Sequence, residues 1–155
     1  MKIKTNYITI PLIVLLVAVL GSLAVMPNLG WYNTLTLPNL APSGRIIGMV
    51  WTALYILIAV STILFWNKAK RDSLFTAIVA IFLLNGFLNA FWSYVFFSWH
   101  HIGWAVFVSA AMALTTYLLI YLIYPKYRVA AYLLVPYALW VTFATYLNFL
   151  IWNFN

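Results

Sequence analysis

Residues 75–97 read FTAIVAIFLLNGFLNAFWSYVFF and contain no charged side chain. An α-helix rises about 1.5 Å per residue, so a helix of this length crosses the roughly 30 Å hydrocarbon core of a bilayer. Arg71 and Asp72 come just before this stretch, and His100 and His101 come just after it. The stretch is therefore predicted to be a transmembrane helix with polar residues beyond both ends.

Four further stretches have similar length and apolarity: residues 7–26, 46–66, 102–124 and 129–152. The chain as a whole is 67% hydrophobic and 6% charged, whereas soluble domains average roughly 45–50% apolar and about 25% charged residues. The residues outside the five stretches are too few to form a soluble domain. The chain is therefore predicted to be an all-α integral membrane protein, with residues 1–155 forming a single bundle of five transmembrane helices.

The composition limits the chemistry that this bundle can support. The chain has no cysteine, and Asp72 is its only acidic residue. Paired carboxylates, Ser-His-Asp triads and carboxylate or thiolate metal sites all need residues that are missing here. We therefore predict no metal site and no obligatory cofactor. An ion-coupled transporter or channel is disfavoured, because no Asp, Glu, Lys or Arg lies deep in a predicted span; it stays an alternative, as does a structural membrane module.

The basic residues predict an orientation in the membrane. Seven of the eight lie at the amino terminus and in the second and fourth connections, and Arg45 alone lies in the first. The positive-inside rule then places the amino terminus in the cytoplasm and the carboxyl terminus outside. The net charge of +7 is explained by this topology and by contact with anionic lipid, without a nucleic-acid partner.

Trp51, Trp92 and Trp140 lie well inside predicted spans. An indole carries an N–H group that needs a partner, so a protein-lined cavity suits such residues better than lipid does. Asn89 lies about one turn before Trp92 on the same helix face. For a single Asn, an interhelical hydrogen bond is an equally simple role. Taken together, however, these side chains predict a pocket for a large, flat, mostly apolar ligand.

The first connection, residues 28–45, is long enough to form a lid or binding loop. Pro38 and Pro42 stiffen it. Arg45 would stand at the mouth of the pocket, where it could meet a ligand carboxylate or serve as an interfacial anchor. The side chains expected to pack onto the bundle end are Trp31, Tyr32, Leu35, Leu37 and Leu40.

Five groups of residues follow one another along almost the whole chain. They are Trp31-Tyr32 with Leu37-Pro38 and Pro42, Trp51 with Leu54-Tyr55, Asn89 with Trp92 and Phe96-Phe97, Gly103-Trp104, and Pro136-Tyr137 with Trp140, Phe143, Ala144 and Leu147-Asn148. In this order and spacing they resemble the TspO/MBR family of tryptophan-rich sensory proteins and translocator proteins, also called peripheral-type benzodiazepine receptors.

The resemblance implies a five-helix membrane bundle, often a homodimer, whose first loop caps a pocket. Ligands of the family are porphyrins, such as protoporphyrin IX or haem-like molecules, and isoquinoline or benzodiazepine compounds. We therefore expect a tetrapyrrole-binding sensor or translocator. Whether it is also an enzyme stays open: an illuminated porphyrin can oxidise a nearby indole, and Trp51 and Trp140 are the candidate catalytic residues.

The same resemblance implies roles for individual residues. Trp51, Asn89 and Trp140 would form the pocket wall, and Trp31, Pro38 and Pro42 would shape the lid. Supporting lining is implied for Tyr55, Trp92, Phe96, Tyr137, Phe143, Ala144 and Leu147.

Two positions depart from the family pattern, since Pro27 and Val108 stand where many members have an acidic residue. Any function that depends on those acids is in doubt for this chain. For a homodimer, the small residues Gly86 and Ala90 of the third span are one candidate interface. The alternative interface is the series Ala105, Ser109 and Ala113 of the fourth span, and packing within the monomer is a third use of the same residues.

Overall fold

The computed structural model describes residues 4–155, which are almost entirely helical. Lys2, which contributes to the orientation prediction, lies outside the described residues. The helices are α1 (Asn6–Val25), α2 (Leu29–Tyr32), α3 (Gly44–Lys68), α4 (Ser73–Ser93), α5 (Ile102–Ile123) and α6 (Arg128–Phe154). A 3₁₀-turn, Met26–Asn28, joins α1 to α2, and a π-helical turn, Tyr94–Ser98, continues α4.

Within the described residues, five helices are long and apolar enough to cross a membrane. The predicted fold class, an all-α membrane protein with five spanning helices, is confirmed. The first span differs from its predicted end at Met26, because the chain stays helical as far as Tyr32. Loop one is therefore residues 33–43, shorter than the predicted 28–45, and Arg45 lies in the first turn of α3.

The ends of α3 and α4 are fixed by side-chain caps. Ser43 Oγ accepts a hydrogen bond from the Ile46 N–H at 3.4 Å, and Asp72 Oδ1 accepts one from the Phe75 N–H at 2.8 Å. Such caps satisfy backbone donors that have no partner in the first turn of a helix. The one acidic residue of the chain thus has a structural role at the start of α4.

The long helices form a closed ring in the order α1, α3, α6, α5, α4 and back to α1. The α5–α6 contact is the most extensive. One end of the ring carries loop one, the turn before α5 and the end of α6, because Trp31 stacks on His100 and Thr36 bonds to Asn155. We call it the loop-one end. At the loop-two end, Phe65 packs against Tyr127.

The small residues proposed for a dimer interface lie inside the monomer. Ala105, Ser109 and Ala113 of α5 are buried, as is Ala90 of α4. At Gly86, an added Cβ atom would lie 3.3 Å from a Val17 methyl group. Small side chains let neighbouring helices approach closely, and here the neighbours belong to the same chain. These residues therefore pack within the monomer, and the homodimer interface stays a prediction.

Candidate functional site

A cavity of about 490 Å³ lies inside the ring below loop one. We call it the upper cavity. Its volume is in the range of small-molecule sites, roughly 300–1,000 Å³. Ser22 and Thr52 line it and are also exposed, so it opens between α1 and α3. Among the described residues, α5 contributes no lining side chain.

Three indoles form the wall of the upper cavity. Trp51 comes from α3, Trp92 from α4 and Trp140 from α6. Each has an aromatic neighbour that also lines the cavity: Tyr55 lies 5.5 Å from Trp51, Phe96 stacks on Trp92 at 5.4 Å, and Phe143 lies 5.6 Å from Trp140 between ring centroids. The predicted lining residues Ala144 and Leu147 also border the cavity. The site therefore presents aromatic faces from three different helices.

Three polar atoms of lining residues are buried without a hydrogen-bond partner within the described residues. They are the indole Nε1 donors of Trp92 and Trp140 and the Oδ1 acceptor of Asn148. The Asn148 amide nitrogen does have a partner, because it donates to the Ile102 carbonyl at 3.0 Å. A buried polar group without a partner costs about 1–3 kcal/mol. A ligand with matching groups would recover part of that cost.

A hydrogen-bonded floor closes the inner side of the upper cavity. The Tyr55 hydroxyl donates to Asn89 Oδ1 at 2.8 Å, and Asn89 Nδ2 donates to the Tyr137 hydroxyl at 3.4 Å. The Tyr137 hydroxyl in turn donates to Asn85 Oδ1 at 2.9 Å. Tyr137 lies behind this floor and does not line the upper cavity, so its predicted place in the lining is wrong. Its ring is buried because it supports Asn85 and Asn89.

Asn85 forms hydrogen bonds between helices, which was the alternative role predicted for a single Asn within a span. Its Nδ2 donates to the Met112 carbonyl at 3.0 Å and lies within hydrogen-bond distance of the Thr115 and Thr116 hydroxyls of α5. It therefore ties α4 to α5, and through Tyr137 to α6.

Only some of the residues predicted to shape the lid line the cavity. Pro42 lines it, as does Tyr32, whereas Trp31 and Pro38 do not. Trp31 stacks on His100 at 3.9 Å between ring centroids and meets Phe96 edge-on at 5.6 Å. Pro38 is buried. These two residues therefore anchor the loop rather than face the cavity.

Arg45 and two loop leucines also differ from prediction. Arg45 is exposed and does not line the cavity, although the preceding Gly44 does. The physical reason is that α3 begins at Gly44, and helix geometry turns the next side chain away. Leu37 and Leu40 are exposed instead of packed onto the bundle end, while Leu35 packs against the core.

The residues of this chain from 9 to 153 match the TspO/MBR family model. The chain belongs to the TspO/MBR family. It is similar to the tryptophan-rich protein TspO of Bacillus cereus, with 38% identity over 81% of this chain and 80% of the relative. It is also similar to the human translocator protein, with 36% identity over 83% of this chain and 76% of the relative. A third relative is protein CrtK of Rhodobacter capsulatus, with 27% identity over 81% of this chain and 78% of the relative.

The two departures from the TspO/MBR pattern lie next to lining residues but do not themselves line the cavity. Pro27 is exposed in the 3₁₀-turn between α1 and α2. Val108 of α5 is half-buried and packs against the apolar cluster at the loop-one end. Neither side chain lines the upper cavity, and the aromatic wall of this TspO/MBR protein is formed by other residues.

Part of the lining escaped sequence reasoning. The face of α1 carries Ala18, Gly21 and Ser22, whose spacing of three and four residues is the one available signal. On α3, a Cβ atom added to Gly48 would have no other atom within 4 Å, so this glycine leaves open space. The further lining residues are Val25, Met26, Leu29, Ile47, Ser93, Phe97 and Ile151.

Phe97 lines the cavity because of the π-helical turn. The Trp99 N–H donates to the Tyr94 carbonyl at 2.9 Å, five residues back. A π-turn is wider than an α-turn and is frequent at functional sites. It brings the successive residues Phe96 and Phe97 to the same cavity, with 4.8 Å between their ring centroids.

A second cavity of about 270 Å³ lies on the other side of the Tyr55–Asn89 pair, toward the loop-two end. We call it the lower cavity. Tyr55 and Asn89 border both cavities, and Tyr137 borders the lower one. Within the described part of the chain, no charged or histidine side chain lines either cavity.

Proposed function

We propose that this TspO/MBR protein is a membrane sensor or translocator that binds a tetrapyrrole, such as protoporphyrin IX or a haem-like porphyrin, in the upper cavity. The observation that carries the proposal is the wall of three indoles, Trp51, Trp92 and Trp140, around a cavity of about 490 Å³. Large π-faces stack on indoles in offset or edge-on geometry, at about 0.5–1.5 kcal/mol beyond the area that they bury.

Polar groups near the aromatic wall bear on how a porphyrin would be held. The N–H groups of Trp92 and Trp140 are unpartnered but buried, and they would donate to acceptor atoms of the ligand only after their rings turn toward the cavity. Gly44 lines the cavity, whereas Arg45 is exposed and turned away from it, so Arg45 is not part of the proposed binding wall. Isoquinoline and benzodiazepine compounds share the flat, mostly apolar character, and we propose that they occupy the same wall.

The experiment is a titration of the purified protein with protoporphyrin IX in the dark, followed by quenching of Trp fluorescence. Saturable binding is expected, and Trp51→Phe and Trp140→Phe should each weaken it about tenfold. Trp104→Phe is the matched control, because Trp104 is 69% exposed and lines neither cavity. Absence of saturable binding to protein with a native circular dichroism spectrum would contradict the proposal.

A photochemical activity is the second candidate, and the closeness of Trp51 and Trp140 to the same cavity favours it. An excited porphyrin would take an electron from an indole, and the protein would supply confinement and the donor. An ion-coupled transporter or channel is less favoured, because the linings of both cavities carry no ionisable Asp, Glu, Lys, Arg or His in the described residues.

A homodimer belongs to the same proposal. Since Ala90, Ala105 and Ser109 are buried in the monomer, the contact would use large outward-facing side chains of α4. Leu84 and Phe87 are exposed on that helix.

A further inference from the structure

The lower cavity is a hydrocarbon-lined space between α1, α3 and α4. Its walls are formed mainly by Ile10, Val14, Ile58, Val79 and Phe82. Its volume, about 270 Å³, is little more than half that of the upper cavity. A narrow chain suits it better than a large ring system does.

The polar groups that border the lower cavity are already engaged. The Tyr55 and Tyr137 hydroxyls donate to Asn89 and Asn85, and the Thr62 hydroxyl donates to the Ile58 carbonyl at 2.8 Å. Since little is left for a polar ligand to bond, burial of apolar surface would be the main source of affinity.

The lower cavity opens toward the bilayer between α1 and α4. Ile13 and Leu83 line it, and both are exposed. Above this opening the two helices meet closely at Val17 and Gly86. A hydrocarbon chain can therefore enter sideways from the membrane without passing through the upper cavity.

Donor groups of α1 and of the α3–α4 connection stand at the loop-two end of the lower cavity. Trp66 lines the cavity, and the Arg71 guanidinium carbon lies 4.8 Å from its ring centroid and 4.0 Å from that of Phe75. Asn6 precedes Ile10 by one turn on the same face of α1, is 8% exposed, and its Nδ2 has no partner within the described residues.

The charge at this end is positive. Lys68 and Lys70 precede Arg71 in the sequence, and the one acid of the connection, Asp72, uses its carboxylate to cap α4. A guanidinium stacked on an aromatic face keeps its N–H edge free for an anion. The neighbourhood therefore favours an acidic head group.

We propose that the lower cavity binds the hydrocarbon chain of an acidic amphiphile, whose head group meets Arg71, Trp66 and Asn6. The ligand class is a long-chain fatty acid or one acyl chain of an anionic phospholipid. This site is separate from the proposed porphyrin site, and the Tyr55–Asn89 pair divides the two.

The test uses delipidated full-length protein in neutral detergent, titrated with tritiated palmitate, methyl palmitate and dioleoyl phosphatidylglycerol. Val14→Phe fills the cavity and should weaken palmitate binding about tenfold. Leu12→Phe is the matched control, since Leu12 is exposed on α1 and lines neither cavity. Circular dichroism melting checks that each variant is folded.

The variant Arg71→Gln tests whether Arg71 binds the acidic head group. It should weaken palmitate binding about fivefold and leave methyl palmitate, which has no charge, unaffected. Tighter binding of palmitate than of phosphatidylglycerol would assign the site to a free fatty acid, and the reverse order to a bilayer lipid. The proposal would be overturned if neither palmitate nor phosphatidylglycerol bound at one molecule per protein chain. It would also be overturned if Val14→Phe and Leu12→Phe had equal effects, or if Arg71→Gln had none. None of these outcomes depends on porphyrin binding.

Discussion

The Tyr55 hydroxyl donates a 2.8 Å hydrogen bond to Asn89 Oδ1, and this pair separates two cavities of the same bundle. The bond joins α3 to α4. Inside a bilayer no bulk water can replace this bond, so the Tyr55 hydroxyl and the Asn89 amide oxygen each need the other as a hydrogen-bond partner. The division of the interior into an aromatic half and an aliphatic half therefore rests on one polar contact and the tyrosine behind it.

Removal of hydroxyls from the floor should have graded effects on stability. Tyr55→Phe loses one bond at a half-buried position, so we expect a loss of about 1 kcal/mol in the free energy of unfolding. Tyr137→Phe should cost about 2 kcal/mol, because it leaves Asn85 Oδ1 without its donor in a buried place. Unfolding in SDS mixtures measures both, and a larger loss for Tyr55→Phe would contradict this order.

Filling the upper cavity should remove binding without harming the fold. Gly48→Leu adds a side chain where an added Cβ atom has no neighbour within 4 Å. We expect an unchanged melting temperature and a loss of porphyrin affinity of about tenfold or more. Gly30→Leu is the matched control, since its Cβ atom would also be free of neighbours but Gly30 does not line the cavity. Similar affinities for the two variants would place the ligand elsewhere.

Loop one should loosen when its contact with the end of α6 is removed. Asn155 accepts from the Thr36 N–H at 2.9 Å and donates to the Thr36 carbonyl at 3.1 Å. Asn155→Ala should speed amide exchange in residues 34–41 and raise the ligand dissociation rate about threefold, with little change in global stability. Asn153→Ala serves as control, because Asn153 bonds only within its own helix, to Phe149. Equal exchange rates in the two variants would show that the loop is held by other contacts.

Illumination distinguishes binding from photochemistry. If an indole of the wall donates the electron, the wild-type complex should form a new absorption band under light that Trp51→Phe or Trp140→Phe abolishes at saturating porphyrin. Trp104→Phe should behave as the wild type does. A spectrum that stays unchanged under light in the wild type would restrict the protein to binding.

The orientation can be tested with single cysteines, because the chain has none of its own. Asn39 and Lys70 are exposed at opposite ends of the ring. The charge distribution predicts that a membrane-impermeant maleimide added to intact cells labels Asn39→Cys and not Lys70→Cys. Labelling in the opposite pattern would reverse the predicted topology.

The fold was largely predictable because the bilayer imposes a length and a composition on each span. The deep tryptophans were informative for a related reason: an indole N–H in the apolar interior indicates a protein environment, and all three line one cavity. The place of Tyr137 in the lining was implied by the family resemblance, and in the structure it stands behind the floor, since sequence spacing does not distinguish a lining ring from the ring that supports it.

Other features have no simple sequence signal. Small residues suit both a dimer interface and packing within a monomer, and sequence alone does not show that Ala105 and Ser109 are buried in the monomer. The extension of α1 through Met26–Asn28 to Tyr32 was hidden by Pro27, which normally ends a helix but is tolerated in a first turn. Arg45 was assigned to a loop because its first-turn position depends on the cap at Ser43.

The π-turn at Tyr94–Ser98 also places one extra residue between α4 and the segment that follows it. Each residue advances an α-helix by about 100°, so the extra residue of the turn sets the rotational position of everything that follows it. His100, on which Trp31 stacks, lies beyond the turn. Deletion of a single residue here would rotate that stacking partner out of place and remove one anchor of the lid, although every residue of the lid and of the indole wall would be intact.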